Sequence, residues 1–287
     1  MSKFTIKQFN ETYPDDTTCL EELFQARYGN LECCPECGQG AKFHRIKSRK
    51  VYCCQFCGYQ PSPTANTIFH KSSTSLKSWF YAIYLYANSK NGVSAKELER
   101  QLGVTYKTAW RMAKQIRLLF SQNAGKLEGI VEVDETYIGG KGINRRSGRF
   151  EYNDKEIIMG MLERGGDVKA AHILNTGKYT LYGEIEKNVA KTSKLMTDEL
   201  AAYKNVNNLG YEHEAVSHKD TYVVGNVHTN NIEGFWSQLK RSINGTYHSV
   251  SGKYLQQYAN EFAYRYNHRK SPVHIFHLLL AKAAQPV

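Results

Sequence analysis

Apolar residues recur along this chain with two different periods, changing near residue 129 and changing back near residue 229. In the first stretch, Leu76, Trp79, Phe80, Ile83, Tyr84 and Ala87 fall at i, i+3, i+4 and i+7, the stripe of an amphipathic helix. Upstream, Cys19, Leu20, Leu23 and Phe24 predict a helical lead-in over residues 1–30. Downstream, a helix from about Ser94 ends at Leu102, Gly103 makes the turn, and a second helix starts near Thr105. The middle stretch reads differently. The run from Gly129 to Ile138 is rich in β-branched residues and predicts a strand. Glu156–Leu162 and Val168–Leu174 predict two more strands, 180–189 a helix, and Lys194–Met196 a short strand before Asp198. Lys141–Asp154 is polar, glycine-rich and basic, a loop. From residue 229 the period is helical again: Ile232, Phe235, Trp236, Leu239 and Ile243 share a face. A helix over Gly252–Tyr266 and a last helix after Pro272 follow. Three strands, a helix and another strand give an α/β sheet domain. The expected divisions are 1–30, 31–70, 71–125 and 126–287.

Composition narrows the class. Of 287 residues, 41% are hydrophobic and 23% charged, the balance of a globular protein. No stretch approaches the roughly 18 apolar residues of a membrane span, and the first residues lack a signal-peptide hydrophobic region. The expectation is a cytoplasmic protein with no membrane partner. The net charge is +11, and it is unevenly placed. Between Glu36 and Glu97 there is no acidic residue, and Lys42 to Lys126 hold 15 Lys and Arg against Glu97 and Glu99 alone. Such concentration points to a polyanion partner. The paired helices at 94–112 have the helix-turn-helix pattern, whose second helix enters a major groove. That helix would carry Tyr106, Lys107, Thr108 and Arg111 outward. A helical hairpin with no nucleic-acid role is the bland alternative.

All seven cysteines lie at or before Cys57. Cys34-Pro-Glu-Cys37-Gly38 and Cys54-Gln-Phe-Cys57-Gly58 make two C-x2-C pairs, the spacing of a closed four-thiolate zinc site. The glycine after each pair permits the turn. Cys33 and Cys53 duplicate the first member of each pair, so C-x3-C registers stay open. Cys19 reads as a core residue.

The sharpest candidate for chemistry is Asp134, a carboxylate inside an apolar strand, where it needs a cation or hydrogen-bond donors. Glu132 shares its strand face and Glu135 the opposite one. Asp198, ending a predicted strand, and Glu233, on the first turn of a later helix, are the other two. Three such carboxylates can hold two divalent metals for phosphodiester chemistry, and magnesium suits them. Lys240, seven residues after Glu233, projects from the same side and suits a DNA phosphate. Taken singly, Glu233 fits a capping box with Asn230, and Asp198 fits an N-cap before Glu199. His228 is a weaker candidate for a supporting role.

Two long motifs then carry a resemblance. Val131-Glu-Val-Asp134-Glu-Thr-Tyr-Ile-Gly-Gly-Lys141 and His228-Thr-Asn-Asn-Ile-Glu233-Gly-Phe-Trp-Ser-Gln-Leu-Lys240-Arg241 resemble the signatures of bacterial ISXO-type insertion-sequence transposases. The Cys34–Cys57 ribbon and the following Thr67-Ile-Phe-His70 resemble the same family, with Asn66 where relatives often have Gly. The similarity covers nearly the whole chain in the order zinc ribbon, helix-turn-helix, catalytic domain. It implies an RNase H-like fold and a DDE-type site with Asp134, Asp198 and Glu233 as acids and Lys240 as the basic residue. Some relatives carry Asn at the third position, which makes Asn230 the alternative. It implies two magnesium ions, with manganese as a substitute, beside one structural zinc. The partners implied are double-stranded DNA at element ends and target, and a homo-oligomer, because two ends must meet; Arg145 and Arg146, in the basic loop, are further candidate contacts. A DNA-binding regulator that no longer cuts is the alternative function.

Overall fold

The computed structural model describes residues 3–122, 125–139, 155–216 and 228–286. The expected loop at 141–154, with Arg145 and Arg146, lies outside the described residues. The chain divides into two compact units, Met1–Leu119 with Ser271–Val287, and Phe120–Lys270.

The first unit holds α1 (Ile6–Thr12), α2 (Asp16–Tyr28), the hairpin β1 (Phe43–Ile46) and β2 (Val51–Cys54), α3 (Leu76–Asn88), α4 (Ala95–Leu102) and α5 (Tyr106–Leu118). It also holds the final helix, which the expected 126–287 division includes but which packs here. Polar caps start these helices where the sequence offers them: Thr5, Asp15, Ser75, Ser94 and Thr105 each accept from a first-turn N–H. Gly103, at φ 63°, ends α4 in the left-handed region that glycine tolerates best. The stripe expected on α3 is the core, with Trp79, Phe80 and Ile83 fully buried. Phe276 of the final helix stacks on Phe4 and meets Phe9, Tyr13 and Tyr84. The hairpin leans on α2, where Phe24 stacks on Tyr52 at 3.8 Å and the Tyr52 hydroxyl donates to Glu21.

Among the described residues, the second unit is a five-stranded sheet with helices on both faces. Its strands are β3 (Ile130–Ile138), β4 (Glu156–Glu163), β5 (Val168–Ile173), β6 (Lys194–Thr197) and β7 (Glu212–Ala215), with α6 (Lys178–Asn188) between β5 and β6. The spatial order is β5-β4-β3-β6-β7, with β3, β4 and β5 antiparallel and β6 and β7 parallel to β3. That mixed sheet is RNase H-like. Strand β7 was not foreseen; its four residues, Glu-His-Glu-Ala, carry little strand signal. One face packs on α6, through Val131, Val133, Met159 and Met161 against Leu181 and Ile185. The other packs on α7 (Asn230–Ser242) and α8 (Gly252–Asn267), through Ile158, Leu162, Val168 and Ala170. The last helix, α9 (Ile275–Ala283), completes the first unit.

Side-chain amides close the β5 edge. Asn267 accepts from the Val168 N–H at 2.8 Å and donates to its carbonyl at 3.0 Å. Gln122 does the same for Ala170, and Gln256 accepts from the His172 N–H at 2.6 Å. An edge strand otherwise offers such groups as a template for another chain.

Candidate active site and metal centre

The cysteine site lies in the first unit. Gly38 and Gly58 have φ of 69° and 77°, and their N–H groups donate back to Cys34 and Cys54. Each C-x2-C-Gly segment thus folds into a tight knuckle. The Sγ atoms of Cys34, Cys37, Cys54 and Cys57 all lie within 4.8 Å of one another. Cys33 is exposed and Cys53 turns to the Cys54 carbonyl, so neither joins the set. The backbone N–H groups of Cys57 and Phe56 hold the Cys54 thiol down to about 7, while, against the Tyr59 N–H, burial and the neighbouring thiols push Cys57 up to about 12. The four donors fit a tetrahedral structural zinc. Just beyond, Asn66 sits at φ 58°, a conformation that Asn tolerates better than most residues, and its N–H donates to His70 Nδ1.

On α5 the sequence-predicted residues divide. Tyr106 and Lys107 are exposed. Thr108 is half-buried, its hydroxyl against that of the capping Thr105. Arg111 turns inward: it donates to the His70 carbonyl at 2.9 Å and lies over the Trp79 ring. Trp110, one turn after Tyr106, takes the outward place, with the Lys114 ammonium over its ring. Trp110 lies outside the expected set because positions counted from the helix start have no packing partner to orient them.

The acidic site lies in the second unit, where strand register builds it. Glu132 pairs with Met196 across the parallel strands β3 and β6. Two residues further along stand Asp134 and Asp198. Asp198 begins no α-helix; it accepts from the Leu200 N–H at 3.0 Å in a turn leading to a 3-10 segment at Ala201–Tyr203. Helix α7 crosses the same sheet face and brings Glu233. Thr229, not Asn230, is its N-cap, and the Thr229 hydroxyl donates to Glu233 at 3.2 Å. Asn230 is exposed, the first residue of the helix.

Asp134, Glu135, Thr136, Glu233, Trp236, Ser237 and Lys240 line one opening of about 310 Å³. The Trp236 indole donates to Asp134 Oδ2 at 2.9 Å. Opposite Asp134 in the register stands Gly160, where a Cβ would come within 2.6 Å of two atoms of that indole. Burial pushes the Asp134 carboxyl up, and the charges of Asp198 and Glu233 push the same way, against the Trp236 hydrogen bond. Burial, then the charges of Asp134 and Asp198, push Glu135 up to about 8. Its Oε1 is buried with no hydrogen-bond partner among the described residues. These carboxylates repel one another with few donors to answer them, an arrangement that a divalent cation relieves. Among the described residues, no group of acids is gathered as tightly as the cysteines.

Two residues here went unassigned in the sequence. The apolar period counts Trp236 as core, although its spacing from Glu233 and Lys240 places it on their side. Glu135 keeps the face opposite Asp134, its partner Met159 lying in the α6-side core, and still lines the opening where β3 runs on past its pairing with β6. His228 has Nδ1 3.3 Å from Glu132 rather than from any of the three acids.

The family model for the ISXO2-like transposase domain matches residues 126–267, and that for the transposase zinc-ribbon domain matches residues 14–60. A protein of Halobacterium salinarum, described as an uncharacterized protein in transposable element ISH50, is 28% identical over 277 residues, 89% of this chain and 92% of its own. Among solved structures, a chain of the simian T-cell lymphotropic virus intasome in complex with PP2A regulatory subunit B56 gamma matches with a TM-score of 0.31. It is 14% identical, over 64% of this chain and 65% of that one. With a zinc ribbon ahead of an RNase H-like sheet that gathers acids at its centre, the chain belongs to the ISXO2-like transposases.

Proposed function

We propose that this transposase cuts DNA at the ends of its element and joins the freed ends to a target. The observation that carries the reading is the opening lined by Asp134, Glu233 and Lys240, with Asp198 acting electrostatically on Asp134. Asp134, Asp198 and Glu233 are the residues that would hold two magnesium ions, with manganese as a substitute. Bound there, the metals would supply an activated attacking oxygen and stabilise the leaving one. Asn230, exposed at the helix start, is the less favoured third ligand.

The remaining steps fall to the chain's own groups. Trp236 holds the Asp134 carboxylate in place. Lys240 offers a cation to a phosphate of the bound strand. Water adds to phosphorus, the bond to the 3′-oxygen breaks, and a 3′-hydroxyl leaves. That hydroxyl attacks a target phosphorus in turn, the bond to the target strand's own 3′-oxygen breaks and a 3′-hydroxyl leaves, so no covalent enzyme intermediate is needed. Tyr106, Lys107 and Trp110 on α5, with the ribbon, would bind element ends. Arg111 would support that helix through its bond to His70. Because two ends must meet, the active form is an oligomer on DNA in the cytoplasm.

The test is a joining assay with a labelled duplex carrying the DNA that flanks the gene, a plasmid target and magnesium or manganese. Label joined by wild type and not by Asp134→Asn supports the reading. End binding without cutting or joining in either metal favours a DNA-binding regulator.

A further inference from the structure

Glu132 is fully buried, yet it is not free to serve a metal. Its Oε2 accepts from the backbone N–H groups of Asn231 at 2.9 Å and Ile232 at 3.1 Å. Its Oε1 accepts from Asn231 Nδ2 at 2.7 Å and Arg164 Nε at 2.8 Å. Arg164 also donates to the His228 carbonyl at 2.7 Å, and its own N–H donates to the Ile130 carbonyl. The start of α7 is therefore tied to the central strands of the sheet at several points.

The tie has a reason in helix chemistry. The first N–H groups of a helix have no partner within it and carry partial positive charge. On α7 the N-cap Thr229 supplies no side-chain acceptor for them. The acceptor is supplied by a carboxylate on β3, about a hundred residues earlier in sequence. Glu233 is the next residue after Ile232, within that first turn. Asp134 is two residues after Glu132 on the same strand face. One side chain thus sets both the distance and the rotation between the strand bearing the first acid and the helix bearing the third.

We propose that Glu132 is a positioning residue of the acidic site: it docks the α7 N-terminus on β3 so that Glu233 faces Asp134. The inference rests on the acidic-site reading above. Its charge is answered by Arg164 and by the helix N-terminus, whereas Asp134 accepts from the Trp236 indole and has Asp198 and Glu233 as like-charged neighbours. Loss of the dock lets the first turn of α7 fray or rotate, which moves Glu233 and leaves the rest of the helix held by Phe235, Trp236 and Leu239.

The test uses the full chain. Magnesium binding is measured by calorimetry, at a temperature where each variant is folded by circular dichroism, for wild type, Asp134→Asn, Glu132→Gln and Asn231→Ala. Glu132→Gln should weaken magnesium binding about 10–100-fold, the range for groups that orient metal ligands, with zinc content and end binding unchanged. Asn231→Ala removes one donor and leaves the backbone bonds, so its effect should be smaller and in the same direction; it also serves if Glu132→Gln does not fold. Folded variants that bind magnesium as wild type does, with only the melting temperature lowered, overturn the positioning role. Wild type that binds no more magnesium than Asp134→Asn overturns the acidic-site reading beneath it.

Discussion

The indole N–H of Trp236 donates to Asp134 Oδ2 at 2.9 Å, so a helix side chain holds the strand carboxylate at the centre of the proposed chemistry. Phe at position 236 would keep most of the apolar packing and remove the donor. Trp236→Phe should lower joining about 10–100-fold while the protein stays folded. Joining rates beside far-ultraviolet circular dichroism check this; an unchanged rate removes Trp236 from the site's support.

Gly160 makes that contact possible. A methyl group there would meet Trp236 at 2.5 Å and Ile232 at 2.8 Å, with buried atoms on both sides. Gly160→Ala should cost about 1–3 kcal/mol, the usual range for overpacking a core, and should slow joining beyond what stability explains. Thermal unfolding and single-turnover joining, measured together, separate the two effects.

These two positions show what the sequence made legible. The period of the apolar residues located the central strands and helices, because each element must turn an apolar face to a core. Asp134 stood out because a carboxylate inside such a strand needs partners. The partners themselves were not legible. That Gly160 lies opposite Asp134 follows from strand register, and that Trp236 reaches between them follows from how α7 crosses the sheet. For the same reason the inward turn of Arg111 could not be read: its acceptor, the His70 carbonyl, is 41 residues away.

The ribbon predicts one zinc per chain. Cys54→Ser should abolish zinc binding, and Cys53→Ser should retain it, because only Cys54 belongs to the thiolate set. A structural zinc contributes on the order of 10 kcal/mol to such small modules, so a strong chelator should unfold the ribbon. Metal analysis of the purified variants decides the ligand set. Loss of zinc from Cys53→Ser would reverse the assignment.

His213 on β7 meets the Thr197 hydroxyl at 2.8 Å, one residue before Asp198. Burial lowers its pKa below 6.5, against the pull of neighbouring Glu214, which Lys194 pairs along with Glu212. A lowered base is favoured neutral, so its contribution is present above about 6.5 and is lost as pH falls through the lower folded value. Acid should therefore destabilise the second unit. His213→Gln should reduce that dependence, as read from urea midpoints between about pH 7 and pH 5. Equal slopes for the two proteins would exclude His213 as its source.

Asn267 satisfies both backbone groups of Val168, which is buried. Asn267→Leu leaves a donor and an acceptor without partners, at about 1–3 kcal/mol, and uncovers a strand edge. Lower stability with concentration-dependent aggregation is expected, by calorimetry and light scattering. A variant as stable and as monodisperse as wild type would show that the edge needs no cover.

The placement of α9 bears on the order in which the protein can be completed during synthesis. Its Phe276 enters the aromatic cluster formed by Phe4, Phe9, Tyr13 and Tyr84. A ribosome makes those residues first and Phe276 only after the whole sheet unit has been translated. Domains that are contiguous in sequence can fold as they emerge. Here the ribbon-bearing unit must wait with an open core until the sheet unit is finished. A product truncated before Ile275 would hold every acid of the site and still lack a closed amino-terminal half.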